Sequence, residues 1–351
     1  MSTRVGSDSL PAFERCPALD GCHCVTNSLA KIFYHAGRPL SEEMLLGLGA
    51  GMGFVYWQMQ FGGETSVFVG GRANLKNFSQ DLAVRTGVRI AEKQTASAKK
   101  AEEVLLRSLE EQRPVMLGAD MGMLPWFEFP AGYHFGGHTF VACGFDGETV
   151  LGSDLEAKTA GMKKGFYAPI GLDQLRKARG SSFKPFPPKN LWFEFDFARF
   201  HEPRAKEIKA AIAQCAEAQL DPPIKNLGVN GLRHASAQLL KWPSLFNDFQ
   251  LRKNLFNLYV FIEIGGTGGG AFRAMYGRFL DESAAIVKKA ALADAAEAFR
   301  GSARRFTSVA MMFKDAATAP GLQEKIKTAS STFREIADLE EQTWSKLLEA
   351  V

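Results

Sequence analysis

Apolar residues recur every three to four positions between residues 25 and 36, at Val25, Leu29, Ile32, Phe33 and Ala36. That stripe predicts a one-faced helix, and Gly37 supplies a natural stop. Ser41 then caps a short helix with Glu42 and Glu43 in its first turn. Glycines break it, and "FVYWQMQF" reads as a strand. A second helix over residues 98–112 leads into the strand "PVMLGAD". "HTFVACGF" and "ETVLGSD" are joined by Asp146-Gly147, a hairpin turn signal. In "LWFEFDF" the positions alternate, with Phe193, Phe195 and Phe197 on one face and Glu194 and Asp196 on the other.

Beyond the Pro-rich loop "SSFKPFPPKN" and a boundary near His201, nearly everything reads helical. The last helix, over 322–350, places Ile326, Phe333, Ile336, Leu339, Trp344 and Leu348 on one face. The mixed order and antiparallel later strands predict an α+β fold rather than a doubly wound one. Two domains are expected: residues 1–200 as the mixed domain, and residues 201–351 as an all-α one.

Composition narrows the function classes. The formal charge of +4 is spread along the chain, with no basic run to track a phosphate backbone, so nucleic acid is not an expected partner. "MSTRVGSDSLPAF" has no apolar signal core, and no window approaches a membrane span, so a soluble cytoplasmic protein is expected. Five cysteines, an odd count without disulfide-like spacing, read as thiols. The oligomeric state stays open, a homo-oligomer included.

The candidate chemistry lies in "LDGCHCVTNSLAKIFYHAG". Cys16, Cys22, His23 and Cys24 offer four metal-ligand types, but adjacent Cys22-His23-Cys24 cannot aim three side chains at one ion, so no metal is expected. Cys24 is either a small buried apolar residue or a nucleophile at a helix start, where the dipole and unpaired N–H groups stabilise a thiolate. A cysteine nucleophile needs a histidine base and a group to orient it. His138 opens one hairpin strand and Asp154 closes the next, so the hairpin brings them side by side. Gly136 and Gly137 are expected to leave room for a substrate beside the imidazole. His134, in the preceding loop, is the rival base or a channel residue. His23 either tunes the thiolate or simply packs. Cys22 is either a redox partner or an idle loop thiol. "GGTGGGAFR" lacks a P-loop ending; its N–H groups with Arg273 suit a phosphate, or its glycines let two helices cross. The aromatic run "LPWFEFPAGYHF" walls an acyl pocket or belongs to the core.

The order Cys-helix, then His-strand-hairpin-Asp, resembles the papain-like fold. More closely, "HCVTNSLAKIFYHAGRPLSEEMLLGLGAGMGFVYW" is similar to the N-terminal domain of the butirosin biosynthesis protein H family. "IGGTGGGAFRAMYGRFLDESA" is similar to the helical domain that usually follows it. The resemblance implies an acyl- or aminoacyltransferase of natural-product biosynthesis. An acyl group held as a thioester on an acyl carrier protein moves to Cys24 and then to a small-molecule amine acceptor. His138 becomes the base and Asp154 the orienter. No cofactor of its own is implied, since phosphopantetheine arrives on the carrier. A cysteine hydrolase with the same triad, acting as peptidase, amidase or thioesterase, is the alternative, and a non-enzymatic binding protein the third reading. The position six residues before Cys24, where papain-like peptidases carry an oxyanion-binding glutamine, is Ala18 here. Gln58 and Asn27 stand in as candidate donors, although Asn27 also reads as an ordinary helix-surface residue.

Overall fold

The computed structural model describes residues 10–61, 64–157 and 159–351. In chain order the elements are α1 (Cys24–His35), α2 (Glu42–Leu48), β1 (Met52–Phe61), β2 (Glu64–Arg72), α3 (Phe78–Thr86), β3 (Arg89–Lys93), α4 (Ala98–Glu110), β4 (Val115–Ala119), β5 (His138–Phe145), β6 (Thr149–Leu155), β7 (Gly165–Gly171), α5 (Leu172–Arg179) and β8 (Trp192–Asp196). Helices then follow without another strand: α6 (Ala205–Leu220), α7 (Gly228–Leu239), α8 (Trp242–Leu245), α9 (Asp248–Tyr259), α10 (Arg273–Val287), α11 (Ala290–Met312) and α12 (Leu322–Ala350). The fold is α+β, with antiparallel sheets and a helical C-terminal region. The N-terminal run in which no signal was read lies largely outside the described residues. Among those described, no helix is long and apolar enough to cross a membrane.

The chain divides into two compact units. The first gathers the described residues up to Leu45 with Thr86–Ala157 and Met162–His201. Its six strands run in the order β3-β8-β4-β5-β6-β7, all pairs antiparallel. Every residue of β4, and all but the last of β5, is buried, so the middle of the sheet is covered on both faces. Leu105, Leu109, Leu117, Phe140, Ile170 and Leu175 belong to the core between the sheet and helices α4 and α5. Helix α1 packs against β5, with smaller contacts to β4 and β6. Its Phe33 meets Phe197 edge-on at 5.0 Å, just past the alternating strand β8.

The second unit consists chiefly of Leu46–Arg85 and Glu202–Val351. Sequence reading assigned residues 46–85 to a first domain of 200 residues and expected the remainder to be all helical. Instead the β1–β2 hairpin belongs with the helices. Phe54 on β1 packs on Phe306 of α11 and Phe333 of α12. The Tyr56 hydroxyl accepts from Trp242 Nε1 at 3.1 Å, and Asn254 Oδ1 accepts from the Val67 N–H at 3.0 Å. Along α12 the buried face carries Ile326, Phe333, Ile336, Trp344 and Leu347. Leu348, expected on that face, is exposed, because Leu347 lies three residues beyond Trp344 and takes the core position.

Candidate active site

Helix α1 begins at Cys24, with His23 as its N-cap in extended conformation. The His23 side chain makes no capping bond, and the first turn holds no acid. The helical ladder starts with the Asn27 N–H donating to the His23 carbonyl at 2.8 Å. The N–H groups of Cys24, Val25 and Thr26 therefore precede the ladder and give the helix start its positive character.

The β5–β6 hairpin closes through Asp146, whose Oδ1 accepts from the N–H groups of Glu148 and Thr149 at 3.0 and 2.8 Å. Its register pairs Val141 with Ser153. His138 and Asp154 consequently stand side by side, with His138 Nε2 2.8 Å from Asp154 Oδ2. Both are buried, at 4% and 2% exposure. Two more donors hold the carboxylate: Trp126 Nε1 at 2.9 Å on Oδ2, and the Leu155 N–H at 2.8 Å on Oδ1. Phe127 presents its ring edge-on to His138 at 5.5 Å. The aromatic run before His138 thus encloses the His–Asp pair.

Cys24 hydrogen-bonds to the His138 ring. Nε2 is committed to Asp154, which leaves Nδ1 as the ring nitrogen available to the sulfur. Burial pushes the Cys24 thiol up, but the His138 hydrogen bond, the His138 charge and the Thr139 N–H outweigh it. Despite opposition from Asp154, the thiol ends below its ordinary value. For His138, burial works downward, while the Asp154 charge and hydrogen bond, joined by Cys24, raise it to about 10. The arrangement favours a thiolate–imidazolium pair.

The other cysteines differ. Cys16, Cys22, Cys143 and Cys215 are all buried, whereas Cys24 is partly exposed. Burial pushes Cys215 up to about 12. The Cys143 hydrogen bond lowers Cys16, but 2% exposure closes that sulfur to reagent. Limiting iodoacetamide near neutral pH should therefore label Cys24 first, as read by peptide mass. Preferential labelling of any buried thiol would remove the nucleophile assignment. Among the described residues, no group of three or more His, Cys, Asp or Glu is placed to hold a metal ion.

The remaining candidates scatter. His134 Nδ1 lies 2.9 Å from Asp120 Oδ2, and its ring stacks on Phe183. Asp120 also accepts from Ser181 Oγ at 2.6 Å and from the N–H groups of Gly122 and Phe135. His134 thus has its own carboxylate, which ties down the β4–β5 loop. Gly136 does not open space for a substrate: a Cβ there would fall 2.1 Å from the Phe186 carbonyl oxygen, so the glycine admits the Pro-rich loop. Asn27 is buried rather than on the helix surface, with Nδ2 donating to the carbonyls of Leu19 and Asp20. Gln58 lies in the second unit on β1 and donates to the Tyr56 hydroxyl. Arg273 is wholly buried and paired with Glu340, so its guanidinium does not present itself to a phosphate. Gly270 in the same segment lies against the Ala303 backbone, the close crossing that the glycines permit.

Sequence reading missed two residues of the site. Trp126 was readable only as an aromatic whose buried N–H needs an acceptor. Glu42 was read as a first-turn acid of its own helix, but it serves the loop before α1.

Residues 23–154 match the family model described as butirosin biosynthesis protein H, N-terminal. Residues 173–347 match a domain of unknown function, DUF4872. No curated protein matches the chain.

Proposed function

We propose, from the match of residues 23–154 to the butirosin biosynthesis protein H N-terminal family, that the protein is a biosynthetic cysteine acyltransferase with a papain-like first domain. The observation that carries this reading is the Cys24–His138–Asp154 arrangement, with the thiol lowered at a helix start and Asp154 on His138 Nε2.

In the proposed cycle the Cys24 thiolate attacks the carbonyl of an acyl thioester on a carrier protein. The Cys24 backbone N–H, at the open start of α1, faces the developing oxyanion. Ala18 offers no second side-chain donor, and the Asn27 amide is already engaged. His138 protonates the departing carrier thiol, leaving the acyl group on Cys24. An amine acceptor then attacks. His138 takes its proton, and the amide departs as the thiolate returns. Asp154, held by Trp126 and the Leu155 N–H, fixes the ring so that Nδ1 serves sulfur and substrate.

Intact mass after mixing the protein with acyl-carrier thioesters tests the reading. The expected result is a single acyl adduct on Cys24 that persists in buffer and is discharged by an amine. Rapid discharge by water alone would shift the assignment to a hydrolase. An absent adduct, with Cys24 inert to alkylation as well, would return Cys24 to the core.

A further inference from the structure

We propose that Glu42 is the positioning residue of the nucleophile: its carboxylate, delivered from α2, clamps the turn that sets Cys24 at the head of α1. The inference rests on Cys24 being the reactive thiol. It assigns to that site a control group outside the Cys–His–Asp set.

The carboxylate is 7% exposed and well supplied with donors. Glu42 Oε2 accepts from the Cys22 N–H at 3.0 Å, the His23 N–H at 3.2 Å and Thr26 Oγ1 at 3.2 Å. Oε1 lies 3.3 Å from the Cys22 nitrogen, and the Asn27 side chain also bonds the carboxylate. These donors are the two backbone groups just before Cys24 and two side chains on the first turn of its helix. One acid from a separate helix therefore replaces the side-chain cap that His23 does not provide. The chain has made room for it at Gly21. A Cβ there would fall 2.0 Å from Glu42 Oε1 and 2.3 Å from Asn27 Nδ2, so only glycine lets the carboxylate reach the turn. On the other side, Gly21 forms a two-way bridge with Lys163, through N–H to carbonyl bonds of 3.0 and 2.7 Å. The turn is thus gripped from both sides, by a strand-like bridge and by a carboxylate.

The grip depends on ionisation, because only the carboxylate accepts from all these donors at once. Burial raises Glu42 to about 7, against the bonds from Cys22, Asn27 and His23 that work downward. The charged groups that bear on it are Glu43 on its own helix and Lys31 on α1. His23 and Asp20 stand in the adjoining turn. Glu42 lines a cavity of about 230 Å³ with Asp20, Asn27, Ser41 and Met162, which gives solvent protons a route to the carboxylate. When Glu42 takes a proton, the Cys22 and His23 N–H groups lose their shared acceptor, and the hydrogen bond from Cys24 to His138 loosens.

The experiment follows Cys24 alkylation by iodoacetamide against pH in the wild-type protein and in Glu42→Gln, with folding checked by thermal melt. Wild type should slow through a step near pH 7. Glu42→Gln should react about a hundredfold more slowly at pH 8, the order that a misplacement of 1 Å costs, and lack the step near pH 7. A step near pH 7 that survives in Glu42→Gln overturns the proposal, as does a wild-type rate at pH 8. Should Glu42→Gln fail to fold, Glu42→Asp keeps the charge on a shorter arm. It should react more slowly than wild type and keep the step; an unchanged rate overturns the proposal. Alkylation needs no acyl donor, so this outcome is separate from the acyl-adduct test of the proposed function.

Discussion

Replacing His138 with alanine should slow acyl capture by Cys24 about 10³- to 10⁵-fold near neutral pH, with partial recovery at high pH. Two losses combine. Without the imidazolium, burial is the main influence left on the Cys24 thiol, and it pushes the thiol up. Each pKa unit then removes about nine-tenths of the thiolate at a fixed pH. The acid for the departing carrier thiol also disappears, which typically costs about 10²- to 10⁴-fold. Raising the pH restores thiolate but not the acid, so recovery stays incomplete. Cys24→Ala should abolish the adduct. Asp154→Asn should cost less, since the Trp126 and Leu155 N–H groups still hold the side chain at position 154 beside the ring. A stability signature accompanies the kinetic one. His138 is raised from 6.5 to about 10, so its stabilising contribution is complete below pH 6.5 and is lost as pH climbs through about 10. His138→Ala should flatten that part of the melting-temperature profile. Capture at the wild-type rate in His138→Ala, with loss in His134→Ala, would move the base to the Asp120-bound histidine.

Where the signal was local, the chain was readable. The apolar stripe behind Cys24, the Asp146-Gly147 turn and the alternation in "LWFEFDF" each fixed an element within a few residues. The elements that escaped carry weak local patterns. β3 is short and largely exposed at the sheet edge, and β7, at the other edge, contains Pro169 and begins and ends in glycine. β2 ends in Gly70, Gly71 and Arg72, which reads as a loop. The packing of residues 46–85 with the second unit escapes the sequence for a different reason. Phe54 finds its partners at Phe306 and Phe333, some 250 residues further on, and no window of sequence contains that contact. Glu42 shows the same limit within the site. Sequence pattern shows that an acid sits in the first turn of α2, but not that its carboxylate turns toward the N–H groups of another helix.

Arg273 provides the sharpest case and the largest expected effect on stability. Sequence leaves it, after a glycine-rich run, either as a phosphate ligand or beside glycines that let two helices cross. In the fold it is a structural ion inside the second unit. Its Nε and Nη2 meet the two Glu340 oxygens at 2.8 and 2.9 Å, while Nη1 donates to the carbonyls of Gly53 and Ala271 at 2.6 and 2.9 Å. Ser302 Oγ donates to the same Glu340, and the guanidinium lies 4.7 Å from the Phe306 ring centroid. One cation thus ties α10 to α12 and to β1. Removing a single partner strands a buried charge, which costs about 3–5 kcal/mol, a large share of the roughly 5–15 kcal/mol that holds a domain folded. Arg273→Ala and Glu340→Ala should each lower the unfolding free energy by that order, read as a lower urea midpoint at unchanged slope. The double change Arg273→Met with Glu340→Met should cost less than the two single losses added, because it leaves no unpaired ion. Under native conditions, folded Arg273→Ala should capture acyl groups equally well from a phosphopantetheinyl thioester and from a small thioester without phosphate. Wild-type stability, combined with capture lost only from the phosphate-bearing donor, would instead give Arg273 back its role as a phosphate ligand.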